Sequence, residues 1–141
     1  YDRLKQQPEK FSKGVYERMT TGFSYTNIDY ANAIRAREVW KQTLFKVFNS
    51  VDIILSPTLP TLVPPVEEDK SLLQATKDAT RNTYAGALGQ IPGLSIPCGF
   101  TSDGLPIGLQ LEAAWWNDPL LLRAGYTFQR ETDWHLKTPK I

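Results

Sequence analysis

At 141 residues, with 41% apolar and 22% charged side chains, the chain is one domain or part of one, with enough apolar material for a core. A net charge of +1 without a basic cluster excludes the electrostatic footprint of a nucleic-acid or membrane-surface protein. The single cysteine, Cys98, excludes an intrachain disulfide framework and points to a reducing, cytoplasmic setting.

No apolar run approaches the roughly 18 residues of a membrane span, and no signal-peptide pattern opens the chain. It begins at Tyr1 in a helix-like register without an initiator methionine, which reads as a fragment, a processed chain or a truncated product. In chain order, Tyr1–Phe11 is a polar segment whose helical tendency Pro8 interrupts. Gly14–Gly22 offers one or two helical turns closed by glycine. The first strong element is a helix from about Asp29, a plausible N-cap, to Asn49. Tyr30, Ala33, Ile34, Leu44, Phe45 and Phe48 recur along it at helical spacing. Arg37 occupies the same stripe, and a guanidinium there needs partners because it keeps its charge. Two readings stand: a buried carboxylate or helix-end carbonyls pair it, or it holds an anionic ligand group bidentately.

Val51–Leu55 is a short β-branched apolar run, expected as a strand buried on both faces. Ser56-Pro-Thr-Leu-Pro60 stops it, and Thr61–Lys70, with Pro64-Pro65 and Glu67-Glu-Asp69, reads as an extended loop. Ser71 caps a second helix to about Leu88. Its inner face (Leu72, Thr76, Ala79, Thr80, Thr83, Ala87) is small or hydroxylated, which suits either close packing on a sheet or the wall of a small polar pocket. Leu94–Phe100 and Ile107–Leu111 flank Asp103-Gly104, a hairpin signal. Pro92, Pro97 and Pro106 lack amide donors and belong at strand starts, edges or bulges, so the hairpin reads as the rim of a larger sheet. Trp115-Trp116 follows, expected beneath the hairpin or stacked on a ligand. Asp118-Pro119 starts a last helix with Leu120, Leu121, Ala124 and Phe128 on its buried stripe. Strands alternating with helices make an α/β chain.

The residues hold no complete catalytic constellation. There is no Gly-x-Ser-x-Gly elbow, and no serine has lysine three residues on. His135 is the only histidine and lies near the C-terminus. Cys98 sits in an apolar run, where thiols are inert. No metal-ligand cluster and no phosphate-cradling glycine loop occurs, so neither metal nor cofactor is expected.

Three stretches, in order and at matching spacing, carry a resemblance: Asp52-Ile-Ile-Leu-Ser-Pro-Thr-Leu-Pro60, Pro92-Gly-Leu-Ser-Ile-Pro-Cys-Gly99, and Gly104-Leu-Pro-Ile-Gly-Leu-Gln110. With Tyr30-x-x-Ala33-x-x-x-Arg37 upstream and the run from Pro119 to His135 downstream, the chain resembles the C-terminal part of the amidase signature family over nearly all of residues 1–141. The resemblance implies helices packed on a mixed β-sheet, and hydrolysis of amide C–N bonds by a Ser–cisSer–Lys triad. In such enzymes lysine relays protons through a bridging serine to the nucleophilic serine. Both serines and the lysine belong to the family's N-terminal portion, so no catalytic residue is expected here. This chain is expected to supply sheet scaffold and part of a small-amide pocket, with that N-terminal portion as its partner and a homodimer left open.

Two departures stand out. Where the family usually shows Asn-x-x-Gly-x-Pro, this chain has Ala87-Leu-Gly-Gln90-Ile-Pro92. In subunits that supply ammonia to misacylated tRNA, an arginine matching Arg37 and an aspartate in the following helix bind glutamine. Thr80 stands at the aspartate position, with Asp78 nearby. Arg37 and Thr80 are therefore the substrate-binding candidates, and a broader amidase acting on a small or carboxylate-bearing amide fits better than a glutamine-specific enzyme. The second reading is a component of a transamidation complex. The third is a non-catalytic structural or interaction module, which should unfold cooperatively as a monodisperse chain rather than associate through bare strand edges.

Overall fold

A computed structural model describes residues 2–63 and 72–138. Residues 64–70 of the expected Thr61–Lys70 loop, the Ser71 cap and the last residues of the tail lie outside them. Pro8 breaks the N-terminal segment as expected, into α1 (Asp2–Gln6) and a 3₁₀ turn at Pro8–Lys10. Helix α2 (Lys13–Thr20) runs on into a second 3₁₀ turn, Thr21–Ser24.

Helix α3 spans Asn27–Phe48 and starts earlier than the sequence suggests. Its N-cap is Thr26, and Asp29 is the third residue of a capping box rather than the cap. Thr26 Oγ1 accepts from the Asp29 amide at 3.2 Å, while the Thr26 amide donates to Asp29 Oδ2 at 2.7 Å. That backbone hydrogen bond, joined by the Thr26 hydroxyl, holds the Asp29 carboxyl below the usual carboxylate range.

The inner stripe of α3 also differs. Ile34, Arg37, Trp40, Lys41, Leu44 and Phe48 are buried or half-buried, whereas Tyr30 is 70% and Phe45 61% exposed. The surface that α3 meets ends short of Tyr30, and Phe45, although in the packed half, lies off the stripe that carries Trp40 and Leu44. Helix α5 (Thr83–Gly89) is short, and α3 packs on it through its C-terminal half. There Leu44 lies against Gly89, and Trp40 Nε1 donates to the Ala85 carbonyl at 2.8 Å.

The expected second helix is two helices, α4 (Leu72–Ala79) and α5. Threonine hydroxyls compete for backbone carbonyls at the break. Thr80 Oγ1 donates to the Thr76 carbonyl at 2.7 Å, and Thr83 Oγ1 donates to the Thr80 carbonyl at 3.0 Å. The Asn82 side-chain amide then anchors the turn to the Pro57 carbonyl at 2.8 Å. At its other end α5 closes on Gln90, which has φ 59° and ψ 36°. A left-handed C-terminal residue is normally glycine, and any side chain there costs about 1 kcal/mol. Gln90→Gly is therefore expected to stabilise the protein by about 1 kcal/mol, read as a rise in urea midpoint at unchanged slope. No rise would mean that the contact from Lys41 Nζ to Gln90 Oε1, 3.3 Å, outweighs the backbone term.

Strands β1 (Ile53–Pro57), β2 (Gly93–Phe100) and β3 (Pro106–Ala113) form one antiparallel sheet in the order β1-β3-β2. The hairpin turns where Asp103-Gly104 predicts. The Thr101 amide donates to the Leu105 carbonyl at 2.8 Å, and the Gly104 amide to the Thr101 carbonyl at 3.0 Å. Pro106 starts β3, and Pro97 stands at a register shift that leaves Cys98 out of the ladder. Strand β1 is not buried on both faces. It is an edge of the described sheet, with Leu55 62% exposed.

Helix α6 (Asp118–Glu131) has Asn117 rather than Asp118 at its N-cap position, and Pro119 sits in the first turn. Leu121 is buried with Ile96, Leu111 and Ala113, and Leu120, Ala124 and Phe128 pack around that cluster as the sequence pattern requires. The sheet is thus covered by α6 on one face and by α5, backed by α3, on the other.

Candidate functional site

Directly paired residues of an antiparallel sheet share a face, so the register sorts the side chains. Leu55, Leu111 and Leu94 form one row of the face that takes α6, with Leu109 and Ile96 in the next. On the opposite face Ser56, Gln110 and Ser95 form a row, followed by Ile54, Glu112 and Gly93. One face is hydrocarbon and the other carries hydroxyls, an amide and a carboxylate.

Between this polar face and α5 lies a cleft of ≈ 340 Å³, lined by Thr58, Thr83, Gly86, Ser95, Gln110 and Glu112 among others. Thr58 Oγ1 and Ser95 Oγ lie 2.6 Å apart, so the hydroxyl just past the end of β1 meets that of β2 above β3. Glycine at position 108 permits this. A Cβ there would stand 2.7 Å from Thr58 Oγ1 and 3.1 Å from Ser95 Oγ. Gln110 is 5% exposed, and its amide donates to the Asn82 carbonyl at 3.4 Å.

Glu112 is 8% exposed. Its carboxylate lies against Gly86, where a Cβ would overlap Oε1. Burial pushes its carboxyl above the ordinary glutamate value, and the hydrogen bond from Gln110 opposes that rise in part. The folded state therefore keeps this proton to higher pH than the unfolded chain does. Stability falls as pH climbs from the ordinary value of 4.5 through the raised one.

Neither expected binding residue lines this cleft. Arg37 is half-buried on α3, and its guanidinium meets Glu38 Oε1 at 3.4 Å. Thr80 spends its hydroxyl on the Thr76 carbonyl at the α4–α5 break. Trp115 is held, with Nε1 donating to the Gly89 carbonyl at 3.0 Å and Lys41 Nζ 5.9 Å from its ring centroid. Trp116 is instead 93% exposed with φ 65°, so of the two tryptophans one is packed and the other is bare. Cys98 is half-buried with Sγ 3.5 Å from the Ile107 carbonyl, and His135 is exposed in the 3₁₀ turn Trp134–Leu136.

Sequence reasoning missed Glu112, Gln110, Ser95 and Thr58 as one site. A signal was available in the alternation Gly108-Leu-Gln-Leu-Glu112, which puts two polar side chains on one face of a strand. The apolar run Ile107–Leu111 ends one residue before the carboxylate of Glu112.

The chain matches the family described as Amidase over residues 6–122. It is 37% identical over 142 aligned residues to the A subunit of glutamyl-tRNA(Gln) amidotransferase from Methanosarcina barkeri, an alignment covering 96% of this chain and 29% of that protein. A solved amidase structure superposes with a TM-score of 0.80 at 30% identity, over 91% of this chain and 30% of the other. A protein from a vestigial complex bearing on the origins of an s-triazine catabolic enzyme superposes at 0.86 with 28% identity, over 97% of this chain and 31% of that one. The chain spans about three-tenths of the length of the proteins it matches.

Proposed function

Because the chain belongs to the amidase family, we propose that it is the C-terminal part, residues 1–141, of a hydrolase that cleaves the amide C–N bond of a small substrate in the cytoplasm. The observation that carries this reading is the family match across residues 6–122, in a chain whose sequence offers no nucleophile with a base of its own. In this reading the N-terminal portion brings the serine nucleophile, the bridging serine and the lysine. The present residues contribute the covered sheet, the polar cleft and a cationic side chain at position 37. The serine takes the acyl group, the amide nitrogen leaves with the relayed proton, and water releases the acid.

Ammonia release from primary amides tests the reading. The full-length protein should release it, and residues 1–141 alone should not. Silence from the full-length protein across a panel of small amides would sink the assignment. Within that assay Arg37→Ala should lower kcat/KM for carboxylate-bearing amides about tenfold more than for neutral ones, since a charge-assisted pair contributes about 1.5–3 kcal/mol. Equal losses would leave Arg37 a structural residue paired with Glu38.

A second reading, the amide-cleaving component of a tRNA-dependent amidotransferase, is favoured by the name and 37% identity of the Methanosarcina barkeri relative. By resemblance, Thr80 in place of an aspartate weighs against it. Glutaminase activity together with co-purifying partner proteins would favour this second reading.

A further inference from the structure

The polar cleft has a composition that the amide chemistry alone does not use. Glu112 is more than nine-tenths buried and borders a space of ≈ 340 Å³, the size of a small-molecule site. Among the described residues no cation comes within ion-pair distance of it, and its one side-chain hydrogen bond is from Gln110. A buried carboxylate without a cation is a costly group, because desolvation is then offset by a single amide. Beside it the cleft offers Thr58, Ser95 and Thr83 hydroxyls, each able to accept a hydrogen bond, and the hydrocarbon of Ile91 and Ala87. Acceptors around one anion, with an apolar wall alongside, match a protonated nitrogen on a short alkyl stem.

Resting on the amidase reading above, we propose that this cleft binds the ammonium end of the substrate, so that the enzyme acts on small amides carrying a primary amine, with Glu112 as the anionic anchor. The raised proton affinity of Glu112 agrees with this, since a bound cation would compensate for the hydration that burial takes away. Glu112 here is a binding residue for the far end of the substrate and takes no part in bond cleavage.

The test uses the full-length protein and two primary amides of equal chain length, one ending in an amine and the other in a methyl group. The wild type should favour the amino-amide by about tenfold or more in kcat/KM, the scale of one buried charge-assisted contact. Glu112→Gln should lower the amino-amide value about tenfold more than the alkyl-amide value, and Glu112→Asp should retain part of the preference. A second readout does not depend on turnover: calorimetric binding of an alkylamine against the alcohol of the same length, with wild type and Glu112→Gln. Tighter amine binding lost in Glu112→Gln supports the proposal even if neither amide is hydrolysed, a result that would count against the amidase reading instead. Equal binding of amine and alcohol, or equal losses on both amides, overturns it.

Discussion

Leu121→Ala is expected to lower the stability of the protein by about 3 kcal/mol, the middle of the range for a leucine truncated inside a packed core. Leu121 is 3% exposed and is the residue of α6 that enters the cluster of Ile96, Leu111 and Ala113. Its removal takes away the transfer energy of the lost methyls. It also leaves a void, because α6 is held close to the sheet: a Cβ on Gly125 would stand 2.8 Å from Leu94 Cδ2, so the helix has no room to collapse inward. The neighbouring Leu122 is 64% exposed and supplies the control. Its truncation should change stability by less than about 0.5 kcal/mol. Urea unfolding of the full-length variants, compared at unchanged slope, measures both. A Leu121→Ala loss below about 1 kcal/mol would contradict the packing of α6 on the hydrocarbon face.

A sign reversal is expected at Gly86. On an open helix, glycine to alanine gains about 0.5–1 kcal/mol from backbone entropy. In this protein the new methyl meets the Glu112 carboxylate, which has to swing out of its place beside Gln110. Gly86→Ala should therefore destabilise by about 1–2 kcal/mol, in the range of overpacking in a filled interior. In a Glu112→Ala background the obstacle is gone, and the same change should stabilise by about 0.5 kcal/mol. The four proteins form a double-mutant cycle with a coupling of about 2 kcal/mol. Additive effects would mean that Gly86 and Glu112 do not touch.

How much was legible in the sequence followed the range of the forces involved. The hairpin, the Pro8 break and the buried stripe of α6 depend on residues close in the chain, and local turn chemistry with 3.6-residue spacing is enough to place them. The burial of α3 was not legible, because Tyr30 and Phe45 look like core residues until it is known where along α3, and on which stripe, α5 packs. The long helix expected after Ser71 divided for a related reason. Threonine hydroxyls at 80 and 83 act locally on backbone carbonyls, but the turn between them is tied down by Asn82 on the Pro57 carbonyl, which lies far back in the chain. The polar cleft was the least legible part. Its members come from the end of β1, from α5, from β2 and from β3, and only the register places Ser56, Gln110 and Ser95 in one row. Arg37 stands out by its place on the helical stripe and Thr80 through the resemblance, and neither belongs to that row.

The strand order β1-β3-β2 also bears on how the sheet is assembled in time. Strands β2 and β3 are joined by a short turn, so their pairing closes a small loop and can proceed on the microsecond scale of a hairpin. Strand β1 pairs with the far side of β3, and its first rung, Ile53 with Ala113, must close a loop of more than fifty residues. The hydroxyl contact between Thr58 and Ser95, across Gly108, joins the earliest-made strands to the last arrival. Interactions of that kind are absent from an early transition state and act mainly as a brake on unfolding. The polar cleft is thus expected to be the last part of the sheet to be completed, once β1 is in register on β3.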